Sequence, residues 1–98
     1  MIYICDIDNT ICKTEGGDYE NATPYKDRIK KMNKLYDEGH TIIYETARGQ
    51  RTTINWMDFT RKQLREWGCK FKSVGPHHYA DYYINDKNVL IKEFFKEK

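Results

Sequence analysis

The 98-residue sequence predicts an α/β fold: one domain over residues 1–98, a three-layer α/β/α sandwich around a central parallel sheet. Three observations carry that expectation. Met1 to Ile7 is a short, nearly continuous apolar run, the pattern of a strand covered on both faces. Strand-like and helix-like segments then alternate in units long enough for parallel crossovers. Polar residues also gather just beyond three of the strands, where a parallel sheet keeps its crevice.

The elements follow in order. After the first strand, residues 13–23 are polar, contain Gly16-Gly17 and read as a loop. Thr23-Pro24 offers a helix N-cap followed by proline at the first helical position. Ile29, Met32, Leu35 and Tyr36 follow at helical spacing, and Gly39 supplies the stop. His40 to Glu45 holds the second strand, which ends in the basic loop from Thr46 to Arg51. A second helix is signed from Thr60: Thr60 and Gln63 form a capping-box pattern, with Phe59 and Leu64 at staple positions. Trp67 continues its apolar face and Gly68 ends it, while residues 52–58 suggest an earlier helical turn. Lys70 to Val74 reads as a short third strand and Asp81 to Ile84 as a fourth. A terminal helix from Asn88 would bury Leu90, Ile91, Phe94 and Phe95.

Composition excludes several classes. Seventeen basic residues against fifteen acidic, mixed along the chain, give a net charge of +2 and no electrostatic case for nucleic acid. Cys5, Cys12 and Cys69 are odd in number and scattered, so reduced, buried thiols are expected in place of disulfides or zinc. No apolar run approaches the ~18 residues of a membrane span and no signal peptide precedes the first strand. A cytoplasmic protein with no membrane partner is therefore expected.

The strand ends carry the chemistry. Asp6 and Asp8 alternate around Ile7, so both carboxylates reach the same end of the strand. Two crowded carboxylates hold their protons more tightly unless a cation sits between them. Oxygen ligands select a hard ion, and magnesium suits a site with few protein ligands. The plain alternative, that Asp8-Asn9-Thr10 is only an Asx-type turn, stays open on this motif alone. Thr46 and Arg48 follow the second strand, and Asn85-Asp86 the fourth.

At this point the chain resembles a known family. DIDNT at residues 6–10 looks like the first motif of haloacid dehalogenase-like phosphohydrolases, DxDxT at the end of a hydrophobic strand. TIIYETARG supplies the second-motif Thr46, and YYINDK supplies a fourth motif in Asn85-Asp86. The run PYKDRIKKMNKLYDEGHTIIYETARG, then QLREWG and ADYYINDK, is similar to small capless phosphatases of capsular polysaccharide biosynthesis. The resemblance implies that Asp6 is a nucleophile forming an aspartyl-phosphate and Asp8 the acid/base. It implies Mg2+ held by Asp6, the main-chain carbonyl of Asp8, Asn85 and Asp86. Thr46 and neighbouring N–H groups, including that of Ala47, would bind a phosphoryl oxygen, and Thr10 would support the first loop.

Two departures qualify it. The fourth motif reads Asn85-Asp86 where the group more often has two aspartates; Asp81 is a further, structural candidate. The third-motif lysine has no obvious match, since the stretch reads SVGPHHYAD; Lys72 is the preferred substitute, with Lys70 and Lys87 behind it. Arg48 and Arg51 are candidates for binding substrate phosphate or a carboxylate by bidentate contacts, His77, His78 and Tyr19 for lining the mouth, and Trp56 and Trp67 for packing. Residues 13–23 are too few for a folded cap, so the site is open to bulky substrates or closed by a second copy in a homo-oligomer. The implied partner is a small phosphorylated sugar, polyol or sugar-linked alcohol. Rival readings are a polynucleotide end phosphatase, a phospho-accepting signalling domain and a catalytically dead binding protein.

Overall fold

The computed structural model describes residues 1–46, 48, 56–75, 82–84 and 95. Four strands form one parallel sheet: β1 (Ile2–Asp6), β4 (Thr41–Glu45), β5 (Ser73–Val74) and β6 (Tyr82–Ile84), in the order β5-β4-β1-β6. A second, two-stranded antiparallel sheet joins β2 (Cys12–Lys13) to β3 (Thr23–Pro24). Helix α1 (Lys26–Asp37) carries the chain from β1 to β4, and α2 (Met57–Glu66) carries it from β4 towards β5. The protein is thus a small α/β fold on a parallel sheet.

Register explains where a site belongs. Ile2 pairs with Thr41 and Asp6 with Glu45, so β1 and β4 end level with each other. On the other side of β1, Cys5 pairs with Ile84. The chain therefore leaves β1 in one direction, through β4 to β5, and returns on its other flank as β6. Such a reversal opens a crevice at the carboxyl ends of the strands beside it.

The core follows from the apolar runs. Tyr3, Cys5 and Ile7 alternate along one face with Ile42 and Tyr44, against Ile29 and Met32 of α1 and Leu64 of α2. Ile4 and Ile43, of opposite parity, are buried as well. Both faces of the two central strands are out of water, as the unbroken apolar run of β1 requires. Gly39 and Gly68, with φ of 98° and 79°, end the helices in the left-handed conformation that glycine adopts without steric cost.

Several local expectations are corrected. Thr23-Pro24 does not start the first helix: it forms β3, Cys12 pairs with Pro24, and α1 begins at Lys26 after Tyr25. The loop over 13–23 accordingly contains the edge of this small sheet and a 3-10 turn at Tyr19–Asn21. Thr60 is no N-cap either; its N–H donates to Trp56 O at 2.8 Å inside a helix already running from Met57. Tyr36, placed on the apolar face by spacing, is an exposed residue. The third strand is only Ser73–Val74, not the whole of 70–74. Of the terminal helix only Phe95 is described, and it packs against the core.

All three cysteines are free and buried, as the sequence predicts. Burial pushes the Cys69 thiol up to about 12 and Cys12 upward, while burial and then the Asp6 charge raise Cys5 well above its ordinary value. Neutral thiols packed this way are inert filler.

Candidate active site

The site is built on the turn that follows β1. Ile7 O accepts from the N–H groups of Thr10 (3.2 Å) and Ile11 (3.0 Å), and Asn9 takes the left-handed conformation at φ 62°. Asparagine tolerates that geometry better than most side chains. Its own Oδ1 accepts from Thr14 N–H at 3.2 Å, five residues on, so the segment turns through main-chain bonds to Ile7 O and not through the i+2 side-chain contact of the Asx-type turn that was the plain expectation. Turn and site coexist. The turn brings Thr10 back beneath the strand, where its buried hydroxyl donates to Asp6 Oδ2 at 3.3 Å. Arg28 of α1 pins the same turn by donating to Thr10 O at 2.8 Å, its guanidinium lying over the Tyr25 and Phe95 rings.

Asp8 stands on the other side of buried Ile7, and donors converge on it. Arg48 donates from Nε to Oδ2 at 3.0 Å and from Nη2 to Oδ1 at 2.8 Å, a bidentate fork. Thr14 donates its hydroxyl proton to Oδ1 at 2.7 Å, and the Cys12 thiol lies 3.8 Å from the same oxygen. Each carboxylate oxygen has about two lone pairs. Oδ1 is therefore fully engaged, while among the described residues only Arg48 reaches Oδ2.

Arg48 is itself held from three directions. Its Nη1 donates to Gln63 Oε1 at 2.7 Å and to Thr60 Oγ1 at 3.4 Å, both on α2. The Tyr19 ring covers its guanidinium at 4.6 Å. Gln63 Nε2 donates in turn to Tyr19 O at 2.7 Å. That pair of bonds fixes the amide: arginine can only donate, so Oε1 faces it, and a carbonyl can only accept, so Nε2 faces Tyr19. The Arg48 side chain is 0% exposed. Of the two bidentate partners expected for its fork, substrate phosphate or a carboxylate, it is a carboxylate, that of Asp8, that occupies it.

Thr46 leaves β4 one residue past Glu45, which pairs with Asp6. Its Oγ1 accepts from Arg48 N–H at 3.0 Å, a bond that leaves the hydroxyl its own proton to donate. Tyr19, Trp56 and Phe59 form a chain of edge-to-face contacts at 5.0 and 5.3 Å beside this cluster, matching the packing role of Trp56 and bringing Tyr19 to the site. Trp67 packs on the core, as expected.

Other candidates are not brought together. Lys72 is exposed, and its N–H donates to Ile42 O, three residues short of the strand end at Glu45. That is about 10 Å below the Asp6 edge by strand rise, which removes it as the phosphate lysine. Lys70 is tied to Asp37 at 2.8 Å, at the opposite edge of the sheet. Ala47, Arg51, His77, His78, Asp81, Asn85, Asp86 and Lys87 lie outside the described residues. Among the described residues, no group of three or more His, Cys, Asp or Glu is placed to hold a metal ion. No helix among them is long and apolar enough to cross a membrane.

Sequence reasoning missed Thr14, Arg28, Thr60 and Gln63. A signal existed for two of them: Thr60 and Gln63, spaced i and i+3, share a helix face with the apolar Leu64 and Trp67. Polar groups on a buried face need partners, and a buried arginine is one that satisfies both.

No protein-family model matches the chain, and no curated protein matches it. The fold is similar to the crystal structure of an MCSG target from Vibrio cholerae, with 25% sequence identity and a TM-score of 0.76. That match covers 100% of this chain and 90% of the other. The likeness is one of architecture.

Proposed function

We propose that the protein is a magnesium-dependent phosphomonoester hydrolase of the haloacid dehalogenase-like type, a three-layer sandwich without a cap. The observation that carries this reading is the convergence of Asp6, Asp8 and Thr46 at the level ends of the adjacent parallel strands β1 and β4. Burial of both faces of those strands supports the three-layer build.

In this reading an Asp6 oxygen attacks phosphorus and the bond from phosphorus to the alcohol oxygen breaks. Asp8 delivers a proton to the departing alkoxide, then accepts one from the water that attacks the aspartyl-phosphate. The bond from phosphorus to the Asp6 oxygen breaks and inorganic phosphate leaves. Thr46 donates its remaining proton to a phosphoryl oxygen. The all-oxygen donor set at this edge, the Asp6 carboxylate and Asp8 carbonyl, fits magnesium, with Asn85 and Asp86 following the β6 strand whose Ile84 pairs with Cys5. When bound, the ion would supply positive charge against the phosphoryl oxygens. The substrate class follows the sequence resemblance: a phosphorylated sugar, polyol or sugar-linked alcohol used in a surface polysaccharide.

The test is phosphate release from a panel of sugar, polyol and nucleotide monophosphates, with magnesium or EDTA, beside Asp6→Asn. Turnover is expected with magnesium only, and Asp6→Asn is expected to abolish it. Turnover that persists in EDTA or in Asp6→Asn rules the mechanism out.

A further inference from the structure

We propose that Gln63, a buried residue in the middle of α2, is a positioning residue for Asp8, acting through Arg48; this inference rests on the phosphatase reading above. The relay is continuous and every link is short. Gln63 Oε1 accepts from Arg48 Nη1 at 2.7 Å, and the other two guanidinium nitrogens grip Asp8 at 2.8 and 3.0 Å. Gln63 is 6% exposed, so no water competes freely for its amide. The amide cannot rotate without losing both partners, because turning it sets its NH2 against arginine donors and its oxygen against Tyr19 O.

Arginine donors lie in a rigid plane, so fixing one nitrogen fixes the direction of the whole fork. Gln63 holds Nη1; the fork then dictates the plane of the Asp8 carboxylate. Thr14 and Arg48 engage Oδ1, so the proton that Asp8 exchanges with substrate must travel through the remaining lone pair of Oδ2. The direction of that lone pair is set, through Arg48, by a residue of α2. The same amide holds Tyr19 O, so one residue ties α2, the segment after β2 and the acid/base together.

A positioning role for proton delivery predicts a dependence on the leaving group. An alkoxide needs a proton to depart; a nitrophenolate leaves without one. Gln63→Leu and Arg48→Lys are compared with wild type on glycerol phosphate and on p-nitrophenyl phosphate, with magnesium. Binding of tungstate, a phosphate mimic, is measured by calorimetry on the same proteins. Gln63→Leu is expected to lose about tenfold in kcat on glycerol phosphate, a part of the 10²–10⁴-fold that general acids contribute. The loss on p-nitrophenyl phosphate should be at most about twofold, with KM and tungstate affinity unchanged. Arg48→Lys, which keeps the buried charge but not the fork, should show the same pattern with a larger loss, and serves if Gln63→Leu does not fold. Equal losses on both esters, or a raised KM with weakened tungstate binding, overturn the inference and leave a structural or substrate-binding role. A wild-type protein that releases phosphate from neither ester brings down the phosphatase reading, and the inference with it.

Discussion

Two ion pairs of equal length stand at opposite edges of one sheet. Arg48 and Asp8 meet at 2.8 Å at the carboxyl edge, and Lys70 and Asp37 meet at 2.8 Å at the amino edge. The first pair is 0% and 23% exposed, the second 48% and 56%. Distance does not separate them; surroundings do. Arg48 has no water to return to if Asp8 is lost, and it is braced by Gln63, Thr60 and Tyr19. Lys70 and Asp37 are both about half exposed, so most of their attraction is offset by screening and lost side-chain freedom. One edge of the protein is organised by buried charge, the other merely decorated with it.

That contrast is open to direct attack. Asp8→Ala strands a buried guanidinium and is expected to cost about 3–5 kcal/mol in urea unfolding. A cost under about 1 kcal/mol would erase the difference between the edges. Next in size is the response to alkali, where each edge has a buried thiol. The Cys69 thiol sits near 9.0 when unfolded and about 12 when folded, because burial disfavours the thiolate. The unfolded chain therefore releases its proton first as pH rises. Stability from this group is complete below about pH 9 and lost progressively towards about pH 12, visible as a falling melting temperature. Cys12, beside Asp8, is raised in the same direction, chiefly by burial. Neither thiol should react with a thiol reagent near neutral pH, and rapid labelling of the folded protein would contradict the packing. The smallest effect is expected from Lys70→Ala, at most about 1 kcal/mol and abolished in about 1 M salt. The Arg48–Asp8 contribution should survive that salt.

The two edges also differ in how legible they were. Strands β1 and β4 could be read from unbroken apolar runs, because a strand buried on both faces leaves no room for alternation. The helix stops at Gly39 and Gly68 could be read because a left-handed residue is a local requirement. Local rules misled where a tertiary partner competed for the same residues. Pro24 fits the first turn of a helix, yet pairing with Cys12 draws it into a strand. Thr60 and Gln63 satisfy a capping box by spacing, yet the same i, i+3 spacing places two side chains on one helix face, and there they meet Arg48. Lys72 fitted the motif order but lies three residues below the strand ends.

By itself the sequence determined the elements that short-range physics governs: two central strands, a helix after each, the helices' glycine stops, and a pair of aspartates at a strand end. It also determined which chemistry the strand ends offer, since carboxylates, hydroxyls and arginine carry their properties wherever they sit. Only the tertiary structure decided which of them meet. Arg48 and Asp8 are 40 positions apart, and no local pattern distinguishes an arginine that faces a ligand from one that grips a carboxylate of its own chain. The parallel pairing of β1 and β4 in level register, and the turn of α2 that points Gln63 inward, settle it. A buried arginine binds whichever acceptors the fold leaves within reach, and reach belongs to the packed chain.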